Sequence, residues 1–113
     1  MIRRKAEMST ETRENIRGGR GSLHCVNLME RNPEGKVPYC ALMNFKPGES
    51  IGLHPHGPDA EIYYVLKGRF HVNDNGTDSH LEEGDLMYTS NGEQHCIENC
   101  GTEPAQLMAI VIA

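Results

Sequence analysis

No stretch of this 113-residue sequence comes near the roughly 18 consecutive apolar residues that span a bilayer. The opening MIRRKAEMST also lacks the charged-then-apolar order of a secretion signal. Basic residues are the minority: 11 lysines and arginines stand against 16 acids, for a net charge of −5. That balance argues against nucleic acid and against anionic membrane surfaces as partners. Cysteine is sparse, at positions 25, 40, 96 and 100, and no C-x-x-C pair exists to complete a structural zinc tetrad. Without a secretion signal, Cys25, Cys40, Cys96 and Cys100 are expected to be reduced thiols of a cytoplasmic protein rather than a disulfide framework. No segment shows a 3.6-residue apolar period, and there is no internal repeat or low-complexity tract. The length fits one domain, able to bury a core without a disulfide or metal to fold it.

What is present is a succession of short apolar runs divided by turn residues. From Leu23 onward these are LHCVNL (23–28), VPYCALMNF (37–45), SIGLHPH (50–56), EIYYVL (61–66), RFHVN (69–73), DSHLE (78–82), DLMYT (85–89), HCIEN (95–99) and AQLMAIVI (105–112). Between them lie NPEG, KPGE, HGPD, KG, NDNG, EEG, SNGE and CGTEP, clusters that supply the special φ angles of turns. Strands at intervals of about 8 to 12 residues predict an all-β sandwich or barrel over 23–113. EIYYVL and LMAIVI are apolar on both faces, so one face would line the interior and the other would need a second sheet or a partner subunit. Residues 1–22 are polar and charged and read as an N-terminal arm. Within it Ile2 to Met8 could form an edge strand, and Arg17 to Gly21 (RGGRG) reads as a flexible linker or subunit-crossing segment more readily than as a phosphate-holding loop, since no helix follows.

One stretch gathers chemistry. In GESIGLHPHGPDAEIYYVLKG, Gly48 to Gly68, His54 and His56 are two apart and share a strand face. Glu61 lies an odd seven residues from His54, but Gly57-Pro58-Asp59 breaks the strand, so parity restarts and Glu61 can face the imidazoles from the next strand. Later, in GDLMYTSNGEQHCIEN, a tight turn delivers His95. These residues are either ordinary polar groups at strand ends or a three-histidine, one-carboxylate ligand set. As ligands they suit one divalent Mn, Fe, Ni, Co or Zn ion, which would keep a net charge of about +1 and open positions for water, dioxygen or a bidentate anion.

The first stretch resembles the first cupin motif at every fixed position: Gly48, five residues, His54-Pro55-His56, four residues, Glu61, six residues, Gly68. The second resembles the second cupin motif: Gly84, five residues, Ser90-Asn91-Gly92, two residues, His95, three residues, Asn99, with Ser90 where the family usually has proline. The resemblance covers Gly48 to Asn99, about half the chain. It implies a cupin-type jelly-roll barrel, commonly dimeric, with His54, His56, Glu61 and His95 as metal ligands. It also implies that Gly48, Gly68, Gly84 and Gly92 are turn residues. In many small cupins an N-terminal strand packs on the other subunit, a part that Ile2 to Met8 could play. The family includes dioxygenases, isomerases, lyases and oxalate-active enzymes. A metalloenzyme acting on a small carboxylate or sugar-like molecule is therefore expected, against a non-catalytic small-ligand binding module and a metal-free structural cupin.

Other residues have weaker claims. Tyr63, two past Glu61, should face the interior as a core residue or a substrate contact, and Met43 and Tyr39 on the preceding strand share that claim. His24, His71 and His80 are expected on the surface, and Cys96, next to His95, on the opposite face as a buried thiol. No catalytic acid or base is identifiable; Glu93, Gln94 and Glu98 are candidates by proximity alone.

Overall fold

The computed structural model describes residues 1–29 and 34–113; the Asn32-Pro33 half of the expected NPEG turn lies outside the described residues. The strands are β1 (Thr10–Glu14), β2 (Ser22–Asn27), β3 (Tyr39–Phe45), β4 (Ser50–His56), β5 (Ala60–Lys67), β6 (Phe70–Asp74), β7 (Thr77–Leu81), β8 (Leu86–Thr89), β9 (Glu93–Asn99) and β10 (Ala105–Ile112). They form two antiparallel sheets, of order β1-β2-β3-β10-β5-β8 and β4-β9-β6-β7. The all-β expectation holds. The sheets pack face to face without closing into one continuous ladder, so the barrel is better described as a two-sheet sandwich.

Alternation builds the core. Val65, Tyr63 and Glu61 of β5, Met43 and Phe45 of β3, and Leu107 and Ala109 of β10 point inward from one sheet. Ile51, Phe70, Val72 and Ile97 meet them from the other. Phe45 and Phe70 cross edge-on at the centre, with ring centroids 5.1 Å apart, the geometry that ring quadrupoles favour. The outer face of the six-stranded sheet is uncovered: Tyr64, Leu66, Leu86 and Tyr88 are exposed, the last two by 54% each. This is the second apolar face that the sequence of β5 and β10 demanded a use for.

The N-terminal segment differs from expectation. Residues 5–7 form a single 3-10 turn, not a strand over Ile2 to Met8; the strand is β1, further along, paired with β2 of the same chain from Thr10↔Val26 to Glu14↔Ser22. The polar TETRE run was unreadable as a strand because an edge strand with little buried on either face has no apolar alternation to show. Arg17 to Gly21 is no linker. Ile16–Gly18 makes a 3-10 turn that lies against β4, with Ser50 N donating to Arg20 O at 2.9 Å and Arg20 N to Ser50 Oγ at 2.9 Å. Two glycines permit the approach: a Cβ at Gly19 would clash with the Ser50 carbonyl, and one at Gly52 with the Arg17 carbonyl.

Candidate metal centre

His54 and His56 stand on β4, His95 on β9 directly opposite His54, and Glu61 on β5 in the facing sheet. The site therefore lies between the sheets. A β-bulge makes this possible. Ile51 pairs with Ile97 and His54 with His95, so β4 spends one residue more than β9 across the interval. Without the extra residue, Ile51 and His54 would face opposite sides; with it, both are buried. The His95 hairpin depends on its turn: Asn91 and Gly92 both take positive φ (56° and 79°), and Glu93 N donates to Ser90 O at 3.0 Å. Ser90 in the usual proline position donates its N–H to Glu93 Oε1 at 3.1 Å, a bond proline could not make. Gly48, Gly68 and Gly84 also take positive φ, as expected. Asn99 closes the motif structurally, with its side-chain amide donating to Phe45 O at 3.0 Å and Glu103 O at 2.9 Å.

Each imidazole is held from behind. His54 Nδ1 lies 2.7 Å from Gly52 O, and His56 Nδ1 lies 3.1 Å from Asp59 Oδ1. A carbonyl and a carboxylate only accept, so both Nδ1 atoms carry a hydrogen, and the tautomer this selects presents Nε2 to the cluster as a metal donor. His95 Nδ1 lies 2.8 Å from the hydroxyl of fully buried Thr89. In front, the Nε2 atoms of His54, His56 and His95 lie 3.8, 2.9 and 3.1 Å from Glu61 Oε1, and His54 and His95 Nε2 are 3.0 Å apart. All four residues are buried, and one ligand atom from each lies within 4.8 Å of the others.

The arrangement fits a cation. His56 Nε2 and Glu61 Oε1 are buried with no hydrogen-bond partner. Both offer lone pairs, and unpaired buried acceptors facing each other are costly unless a positive charge sits between them. Donors on one ion at bonds of about 2.0–2.2 Å would be about 3 Å apart at right angles, close to the separations seen. Burial pushes the Glu61 carboxyl up, but the His54 and His95 contacts outweigh it and hold it down at about 2, so it is ionised. Burial lowers His95, against the pull of Glu61, and favours the neutral imidazole that a metal needs. These residues could hold one metal ion.

A cavity of about 180 Å³ opens onto the cluster, with Tyr39, Met43 and Tyr63 in its wall. All three sequence candidates for ligand contact thus reach the same space. Tyr63 is buried and stacks on His95 at 4.8 Å and 9°; burial and the neighbouring Glu61 charge push its phenol well above 10. Burial likewise raises Tyr39 to about 12. Glu93, Gln94 and Glu98 do not line this cavity. His24 and His80 are exposed and His71 is half-buried, 3.2 Å from Asp78; Cys96 faces away from the site, as expected, but is half-buried. Sequence reasoning missed Arg13, Arg17 and Asp59 in the cavity wall, and Thr89 and Gly52 behind the imidazoles. Only Thr89 carried a signal, sharing a strand face with Met87 in DLMYT.

The model of the cupin domain family matches residues 41–111. The chain is a cupin. Over 113 residues it is 37% identical to an oxalate-binding protein of Thermotoga maritima, covering 99% of this cupin and 93% of that protein. A crystal structure from the same organism, described as a predicted oxalate decarboxylase, superposes with a TM-score of 0.91 at 37% identity, covering 99% of this cupin and 98% of that chain. The jelly-roll expectation is met. A shorter match, 34% identical over 62 residues, joins 55% of this cupin to 42% of the tetracenomycin polyketide synthase protein TcmJ of Streptomyces glaucescens. The cupin domain of Schizosaccharomyces pombe Cnp3 shares the fold, with a TM-score of 0.74 at 16% identity over 93% of this cupin and 69% of that chain. Among the described residues no helix is long and apolar enough to cross a membrane.

Proposed function

We propose that this cupin uses one divalent ion, held by His54, His56, Glu61 and His95, to bind a small carboxylate and assist its chemistry. The observation that carries the reading is the convergence of three buried imidazole Nε2 atoms on the ionised Glu61 Oε1. A divalent ion bound there supplies Lewis acidity and a docking point for two ligand oxygens. Mn, Fe, Ni, Co and Zn all suit the donor set. The cavity, about 180 Å³, has room for a small ligand. Tyr63, Met43 and Tyr39 would wall the ligand in. Similarity along nearly the whole chain to a protein named oxalate-binding supports a carboxylate.

A non-catalytic binding role is the second reading. Every imidazole and carboxylate lining the cavity belongs to the four-residue cluster or, as Asp59 does, is hydrogen-bonded to it, and both tyrosines keep their protons. No separate general acid or base stands ready. A homodimer formed through the uncovered apolar sheet face, in the cytoplasm where the four free thiols stay reduced, completes the proposal.

The test is elemental analysis of untagged protein beside a His54→Ala/His95→Ala double variant. About one equivalent of metal per chain, lost in the variant, is expected. Wild type that holds no metal and takes up none on reconstitution, while still folded, overturns the proposal. Metal-dependent turnover of oxalate would separate the enzyme from the binding module.

A further inference from the structure

We propose that Arg13 and Arg17, both outside the segment matched by the family model, make this cavity selective for a small dicarboxylate over monocarboxylates and neutral sugars. The inference rests on the carboxylate reading above and deepens it. The site's cluster lies within residues 54–95, yet its cavity is also lined by the N-terminal segment, which contributes Arg13, Ile16 and Arg17. Neither guanidinium has a carboxylate within ion-pair distance among the described residues. In a chain with 16 acids and a net charge of −5, two arginines left unpaired on one cavity wall are an unusual placement. The other charges of the wall are already engaged: Asp59 with His56, and Glu61 with the imidazoles. With a divalent ion bound, two guanidiniums against two carboxylates leave the cavity at about +2, an electrostatic sink for a dianion.

Arg13 is held by its side chain and Arg17 by its backbone. Arg13 donates through Nη1 to Tyr39 Oη at 3.1 Å, with its guanidinium carbon 5.4 Å from the Tyr39 ring centroid, so the remaining N–H groups keep a fixed direction. Arg17 sits in the left-handed region (φ 55°, ψ 31°), a conformation that costs an ordinary residue stability and persists only where the surroundings impose it. The surroundings here are the backbone contacts at Gly19 and Gly52, which seat the turn on β4 two residues from His54. A two-ended anion could place one carboxylate at the metal cluster and the other on a guanidinium fork, whose planar geometry matches it. A monocarboxylate would use one end only, and a neutral sugar would leave the positive charges unpaired.

The test is calorimetric titration of oxalate, acetate and glucose into wild type, Arg13→Gln, Arg17→Gln and Arg17→Glu, with and without added Mn(II), metal content being read on every sample. Each Gln substitution is expected to weaken oxalate about tenfold or more, as loss of a charge-assisted hydrogen bond should. Acetate should change less than threefold and metal content should be unaltered; Arg17→Glu should be worse than Arg17→Gln. Oxalate binding unchanged in the variants overturns the proposal, as does wild type that binds no oxalate or binds glucose as well. Should wild type hold no metal, the metal reading fails alone: the metal-free titrations still decide whether the arginines select the anion. Arg17 is exposed, so its variants stay readable if Arg13→Gln unfolds.

Discussion

Thr89→Val is the most informative small change to this site. It exchanges a hydroxyl for a methyl of nearly equal volume at a position with no solvent exposure, 2.8 Å from His95 Nδ1. The hydroxyl can accept from Nδ1–H, the tautomer that frees Nε2 for a metal. It can equally donate to a bare Nδ1 when Nε2–H points at His54 or Glu61 in the metal-free protein. Valine does neither. A buried imidazole nitrogen left without a partner costs about 1–3 kcal/mol. For 113 residues at about 2.1 cal/mol/K each, the unfolding entropy is about 0.24 kcal/mol/K, so Tm should fall by about 4–13 °C in EDTA-treated protein. Metal affinity should fall about 10- to 100-fold, the usual consequence of losing the group that orients a ligating histidine. Thr89→Ser keeps the hydroxyl and should bind metal within about threefold of wild type. Thermal melts and metal-competition titrations read both quantities. Wild-type affinity and Tm in Thr89→Val, or Thr89→Ser binding metal as poorly as Thr89→Val, would refute the tautomer argument.

Gly52→Ala should displace the Ile16–Gly18 turn from β4, because the new Cβ meets the Arg17 carbonyl and not a flexible side-chain end. A cost of about 1–3 kcal/mol is expected, with the protease sensitivity of residues 15–21 rising; an unchanged melt and digestion pattern would contradict this seating of the arm. On the outer sheet face, Tyr88→Lys should convert the proposed dimer to a monomer in sedimentation velocity without moving metal content, since a charge placed in that apolar patch would be desolvated by a partner. Wild type that already sediments as a monomer would remove that face as the dimer interface.

The four residues of the candidate metal centre were legible in the chain because their placement is local and because they fill fixed positions of the two cupin motifs. Spacing by two puts His54 and His56 on one face, a turn resets parity for Glu61, and the Asn91-Gly92 turn brings His95 back toward β4. Even so, residue spacing along β4 does not reveal the bulge between Ile51 and His54, which turns the two histidines toward the same interior as Ile51. A bulge is settled by pairing with β9, and no single strand records it.

The N-terminal segment was opaque for the same reason. TETRE has no apolar alternation, and its strand exists only because β2 offers an unpaired edge. Arg17 takes its conformation from two glycines, 19 and 52, that are far apart in sequence and adjacent in space. Short-range periodicity and turn chemistry therefore specified the fold class of this cupin, and the resemblance to the two cupin motifs singled out the four residues that could hold a metal ion. Which charges surround that cluster was decided only when the two sheets and the arm came together, because unpaired charge on a cavity wall depends on neighbours that sequence distance does not reveal.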